Sequence, residues 1–276
     1  MGVDKDWGEV KNMSVYEGII NFEEELRAKY KQEFAEEVIL ARELFDIFFE
    51  ANDIYLKQWQ ERPERRVTLE LVNRAFNSLH AGLKLILEGM PVQGQALLRD
   101  TIECANHIRL FEKDPVYRDR WCKGEVFFPR DIKNRMEKLD IPLPRLNEEY
   151  KPLSRAYLHP SKVGVATHTV DSYSPEGEHS VIFSHGGIDD VRLIRSALLL
   201  ALIFAYNAIC FFWVEMYPLD KNTHSQWYDR LVKVHSSVNS LETRVIQEKF
   251  KYHMEQYTTA RGILDDYLRL LLGRER

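Results

Sequence analysis

From Glu17 to Trp59 apolar side chains return every three or four residues through most of the run: Ile19, Leu26, Tyr30, Phe34, Val38, Ala41, Leu44, Phe48, Ala51 and Tyr55. Glutamates occupy much of the opposite face, and no proline or glycine interrupts the run after Gly18. This period marks an amphipathic helix with one buried stripe, so the pattern predicts a long N-terminal helix over 17–59. Pro63, in ERPERR, closes it, because proline has no N–H to donate and its ring clashes with the preceding turn. A second helix is expected over 68–88, with Leu69, Val72, Phe76, Leu79, Leu83 and Leu87 on one face. The turn GMPVQG (89–94) leads into a third, QALLRDTIECANHIRLFEK, and so short a link predicts antiparallel packing of the two. Shorter helices are expected over 115–124 and 130–139.

The pattern then changes. VGVATHTV and HSVIF are rich in β-formers and are separated by DSYSPEGE, whose Pro, Gly, Asp and Ser favour a turn, so a small β-hairpin insert is expected near 163–184. Ala197 to Val214 is a run without charge, at the lower edge of what spans a bilayer. No second such run accompanies it, and no Lys/Arg bias sets an orientation. The expected reading is a central helix buried on all sides, with no membrane partner. The tail over 225–272 is again helical, with Leu231, Val234, Val238, Leu241 and Val245 in one stripe and Tyr257, Ile263, Leu264, Tyr267 and Leu271 in a later one. The expected fold is therefore all-α. It is a single helical domain over 1–276, a bundle of long helices with a core over 67–217, the hairpin insert and C-terminal helices.

Charge and cysteine content narrow the function classes. The net charge of −5 is uneven. Residues 1–61 carry 15 acidic and 7 basic side chains, whereas residues 109–162 carry 13 basic and 9 acidic. Neutralising phosphates drives nucleic-acid affinity, so any such footprint here is local rather than global. Cys104, Cys122 and Cys210 lie far apart with no C-x-x-C pair, which points to neither a disulfide framework nor a zinc knuckle but to a reducing, cytoplasmic setting. The first ten residues, MGVDKDWGEV, are polar and predict no signal peptide. Phosphate-loop, dinucleotide, zincin and serine-hydrolase signatures do not occur. The hairpin histidines His168, His179 and His185 have spacings that are not diagnostic of a metal site, and neither metal nor cofactor is expected.

Two stretches could carry chemistry. In LLRDTIECANH, Arg99, Glu103 and His107 are four apart and share one helical stripe. The stripe is either a solvated polar edge or one wall of a cleft, with Arg99 binding an anion and Glu103 holding it. In YKPLSRAYLHPSK, Pro152 suits the first position of a helix and Pro160 ends it at His159. Arg155 and His159 then share a face, and the dipole at a helix C-terminus favours the charged imidazole. Such a histidine can move a proton near neutrality, with Arg155, Lys151 and Lys162 available to hold a phosphate. The same residues also suit an ordinary helix end with solvated cations.

Together, LLRDTIECANHI and YKPLSRAYLHPS resemble an uncharacterised group of bacterial all-helical proteins that share an Arg-x-x-x-Glu helix and a Y-x-x-L-S-x-x-x-x-H-P segment. The likeness covers roughly residues 70–215 and marks Arg99, Glu103, Tyr150, Ser154 and His159. More distantly the chain is similar to HEPN-type helical domains, many of them metal-independent RNA endonucleases of toxin–antitoxin and phage-defence systems, in which two protomers combine their sites. Arg155 and His159 have three residues between them, one fewer than the HEPN spacing, and Arg99 is the candidate substitute arginine. The resemblance implies RNA or a nucleotide as partner and a homodimer. It also implies a catalytic group of His159, Arg155, Arg99 and Glu103, with Ser154, Tyr150, Lys162 and Lys151 as binding residues. The alternative is a non-catalytic helical module that binds an anionic ligand or a protein partner.

Overall fold

The computed structural model describes residues 14–59, 65–149, 169–173, 179–183 and 187–246. Its elements in order are α1 (Val15–Glu33), α2 (Ala35–Trp59), α3 (Arg66–Leu87), α4 (Pro91–Lys113), α5 (Pro115–Cys122) and α6 (Pro129–Lys138). A 3-10 turn over Arg145–Glu149 follows, then β1 (Thr169–Tyr173), β2 (His179–Phe183), α7 (Val191–Cys210), a π-helical turn over Phe211–Met216 and α8 (Ser225–Ile246). The all-α architecture expected from the periodicity is present. The backbones of β1 and β2 pair antiparallel, Thr169 opposite Phe183 and Tyr173 opposite His179. The other residues of the 163–184 stretch, and the tail beyond 246, lie outside the described residues.

Local chemistry explains the helix starts. Ser14 and Glu17 form a reciprocal capping box on α1, which satisfies two otherwise orphaned amides. Proline opens α4, α5 and α6, where its missing N–H costs nothing. Asp190 accepts from the amides of Arg192 and Leu193 to cap α7.

One continuous apolar core runs from Leu26 to Leu241 with α7 at its centre. Helices α2, α3, α4 and α8 all pack on α7. The segment Val191–Met216 is long and apolar enough to cross a membrane, yet 94% of its apolar window is buried inside the protein. Helix α8 is tied to α2 by the Trp227 indole N–H, which donates to the Ile47 carbonyl at 2.9 Å. Arg230 reinforces the junction by pairing with Glu43 and Glu50.

The structure corrects two expectations. The N-terminal run is two helices rather than one, broken at Phe34, whose φ of −110° and ψ of 41° leave the helical region. No glycine or proline marks the break. Phe34 is fully buried, stacks on Tyr30 at 5.3 Å between ring centroids, and lies under the Arg195 guanidinium, so packing decides the bend. The turn between α3 and α4 is also shorter than GMPVQG. Gly89 adopts φ +80°, a conformation open to glycine at little cost, and its carbonyl accepts from the Ile188 amide. Gly94, expected in the turn, lies inside α4 and meets Gly82 of α3, so the two backbones approach closely.

Candidate functional site

Helix α4 carries the predicted stripe, and the structure brings its first two members together. The Arg99 Nε lies 2.9 Å from a Glu103 carboxylate oxygen, with both side chains about three-quarters buried (23% and 27% exposed). One turn further on, His107 Nδ1 is 2.7 Å from the Glu103 carbonyl oxygen. A carbonyl can only accept, so Nδ1 carries the proton and Nε2 presents its lone pair. Burial pushes the His107 imidazole below its usual range, against the opposing pull of the Glu103 carbonyl and carboxylate. Near neutrality this ring is uncharged.

Across the α3–α4 seam, Arg74 grips Asp100 through two guanidinium nitrogens at 2.7–3.1 Å, and the Ser78 hydroxyl donates to the same carboxylate at 2.6 Å. Burial acts to raise the Asp100 carboxyl, but the Arg74 and Ser78 hydrogen bonds outweigh it and hold the group below the ordinary carboxylate range. These residues border an open groove of about 590 Å³ that also touches Glu70, Asn73 and Asn77. Cys104, buried beneath, has its thiol pushed strongly up by burial and is no nucleophile at neutral pH.

Because Asp100 is depressed in the folded protein, its stabilisation is present above the unfolded carboxylate pKa of about 3.9 and is lost as pH falls through the lower folded value. Asp100→Asn is expected to cost about 1 kcal/mol at pH 7, a modest figure because Arg74 remains largely exposed. The gap between wild type and variant in chemical denaturation should close as the pH drops below about 4. A gap that persists at pH 2 would mean that the cost is steric rather than electrostatic.

Further along the same face, Asn106 donates through its amide to Asn147 at 3.0 Å, so the 3-10 turn rests on α4. Asn147 precedes Tyr150 by three residues. Behind it, Arg109 pairs with Glu215 of the π-helical turn and lies over the Phe211 ring at 5.3 Å. Of the eight residues expected at the site, Arg99 and Glu103 are among the described residues and form an ion pair with each other. Tyr150, Lys151, Ser154, Arg155, His159 and Lys162 lie outside the described residues, as do His168 and His185.

Sequence reasoning missed Arg74, Ser78, Asp100, Asn106 and Asn147. The only advance signal was the spacing of four between Arg74 and Ser78, which sets them on one edge of α3. Among the described residues no group of three His, Cys, Asp or Glu side chains is placed to hold a metal ion.

Chemically, the α4 face offers a cation oriented by a carboxylate and, one turn away, a neutral imidazole with an available lone pair. A guanidinium fork matches the oxygens of a phosphate or carboxylate. The fold defines the class as an all-α helical bundle with a polar face along α4. No protein-family model, curated protein or solved structure matches the chain.

Proposed function

We propose that the protein is a HEPN-like, metal-independent RNA endonuclease of the bacterial cytoplasm, a toxin or phage-defence effector that works as a homodimer. The observation that supports this reading best is the Arg99–Glu103 ion pair, on the same face of α4 as the Asn106–Asn147 hydrogen bond. That bond tethers the chain three residues before YKPLSRAYLHPSK begins. In this reading His159 takes the proton from the attacking 2′-hydroxyl or gives one to the leaving oxygen. Arg155 or Arg99 stabilises the negative charge that develops on the phosphorane-like transition state. Ser154 and Tyr150 orient the imidazole or the substrate, while Lys151 and Lys162 hold flanking phosphates. The strands β1 and β2 then belong to a small hairpin inserted between the motif segment and α7.

The experiment is RNA cleavage by the purified full chain with and without EDTA. Cleavage should be insensitive to EDTA, abolished by His159→Ala and lowered about 10²–10³-fold by Arg99→Ala, the usual cost of losing one charge-stabilising donor. Melting temperature should hardly move for His159→Ala. If the folded wild type cuts no RNA, or cuts only when EDTA is absent, the nuclease reading falls. The net charge of −5 favours one second reading, a non-catalytic module that uses the same residues to hold a small anion. Its signature is anion binding that His159→Ala weakens, with no turnover by any variant.

A further inference from the structure

A second concavity lies away from the α4 stripe, bounded by α1, α2 and α3 and floored by Leu198 of α7. Its volume is about 280 Å³, at the small end of ligand pockets. Val38, Phe45, Leu83 and Leu198 make its interior apolar, whereas Arg27, Lys31, Arg42 and Lys84 stand around it.

For two of the three helices around it, this convergence of cations runs against their composition. Helices α1 and α2 carry eleven acidic residues and only five basic ones: Arg27, Lys29, Lys31, Arg42 and Lys57. Three of those five line this pocket, together with a single one of the eleven acids, Glu37. Arg27 and Lys84 are partly engaged by Glu88, at 2.9 and 3.8 Å. Lys31 and Arg42 are exposed and have no ion-pair partner among the described residues. Glu37 is itself buried (4% exposed) and lies 3.3 Å from Arg195. Burial pushes its carboxyl up, against the pull of a backbone hydrogen bond and of Arg195, and the ion pair with Arg195 offsets its charge toward an incoming anion.

An apolar interior beneath unneutralised cations is complementary to a molecule with one anionic end and a short hydrocarbon body. We propose that this pocket binds a small amphipathic carboxylate, its head on Lys31 and Arg42 and its apolar body against Phe45, Leu83 and Leu198. The volume admits a short chain or a single ring rather than a long-chain lipid. The Arg27 guanidinium and the Lys84 ammonium add to the attraction without having to leave Glu88. None of these residues belongs to the α4 face, so this site stands or falls independently of RNA cleavage.

The test is a calorimetric or NMR titration of the full chain with octanoate, octan-1-ol and acetate. Octanoate should saturate in the micromolar-to-millimolar range, with octanol and acetate each at least tenfold weaker. Lys31→Glu combined with Arg42→Glu should weaken octanoate tenfold or more and leave octanol unchanged, with unaltered melting because both side chains are exposed. Ala41→Leu, which narrows the interior, should weaken octanoate and octanol together. The proposal is overturned if octanol binds as well as octanoate, if the double charge reversal has no effect, or if octanoate shows no saturable binding.

Discussion

Replacing Phe204 by alanine is expected to lower the free energy of unfolding by about 3–5 kcal/mol, the cost of a large cavity in a packed core. Phe204 is fully buried near the middle of α7, and that helix is enclosed by α2, α3, α4 and α8. The void left by the ring would lie in an apolar core, and a helix held on several sides cannot shift to fill it without losing contacts elsewhere. Thermal and urea unfolding followed by circular dichroism measure the loss directly. At roughly 2–4 °C per kcal/mol for a chain of this size, the midpoint should fall by about 10 °C. Phe49→Ala is the contrasting variant, since Phe49 is 46% exposed and its removal should cost far less. Equal effects of the two substitutions would contradict the central position of α7.

Gly94→Ala is expected to destabilise by about 3 kcal/mol, near the upper end for overpacking. A Cβ at position 94 would lie 2.5 Å from the Gly82 carbonyl oxygen and 2.6 Å from an Ile86 side-chain carbon. The carbonyl is backbone inside α3 and cannot swing aside, so the helices must separate. Separation also strains the Arg74–Asp100 and Ser78–Asp100 bonds, which bridge the same pair of helices. Gly94→Ala and Asp100→Asn should therefore be less than additive when combined in a double-mutant cycle. Full additivity would mean that α3 and α4 tolerate the extra methyl by a local adjustment that leaves the polar seam intact.

Much of the bundle was legible because burial imposes a period. Of the predicted stripe, Leu26, Tyr30, Phe34, Leu44, Phe48, Ala51 and Tyr55 are buried, as helical spacing required, whereas Ile19, Val38 and Ala41 are only half-buried. The uncharged run from Ala197 resolves into a core helix because four amphipathic stripes need a common surface to cover. The break at Phe34 was not legible, since no breaker residue marks it and the bend serves the packing of one ring. Gly94 was misread as a turn residue for a related reason. In a sequence, a glycine that ends a helix and one that lets two helices touch look alike.

The candidate site divides along the same line. The spacing of Arg99, Glu103 and His107 was enough to set them on one stripe, because i, i+4 neighbours meet on any helix. That the pair would be three-quarters buried, and that the His107 ring would be held neutral, depended on what covers the stripe. Asp100 lies 26 positions from Arg74 and 22 from Ser78 in sequence, and only the Gly82–Gly94 crossing brings α3 and α4 close enough for them to bond. The cationic pocket likewise draws Arg27, Lys31 and Arg42 from α1 and α2, two helices that are acidic overall. By itself the sequence determined which segments are helical, where most of them start and which faces are apolar, because those depend on neighbours within a turn or two. The bend at Phe34, the closeness of α3 to α4 and the partners of each buried charge were decided by the tertiary structure, because each rests on contacts between distant segments whose spacing the packing of side chains sets.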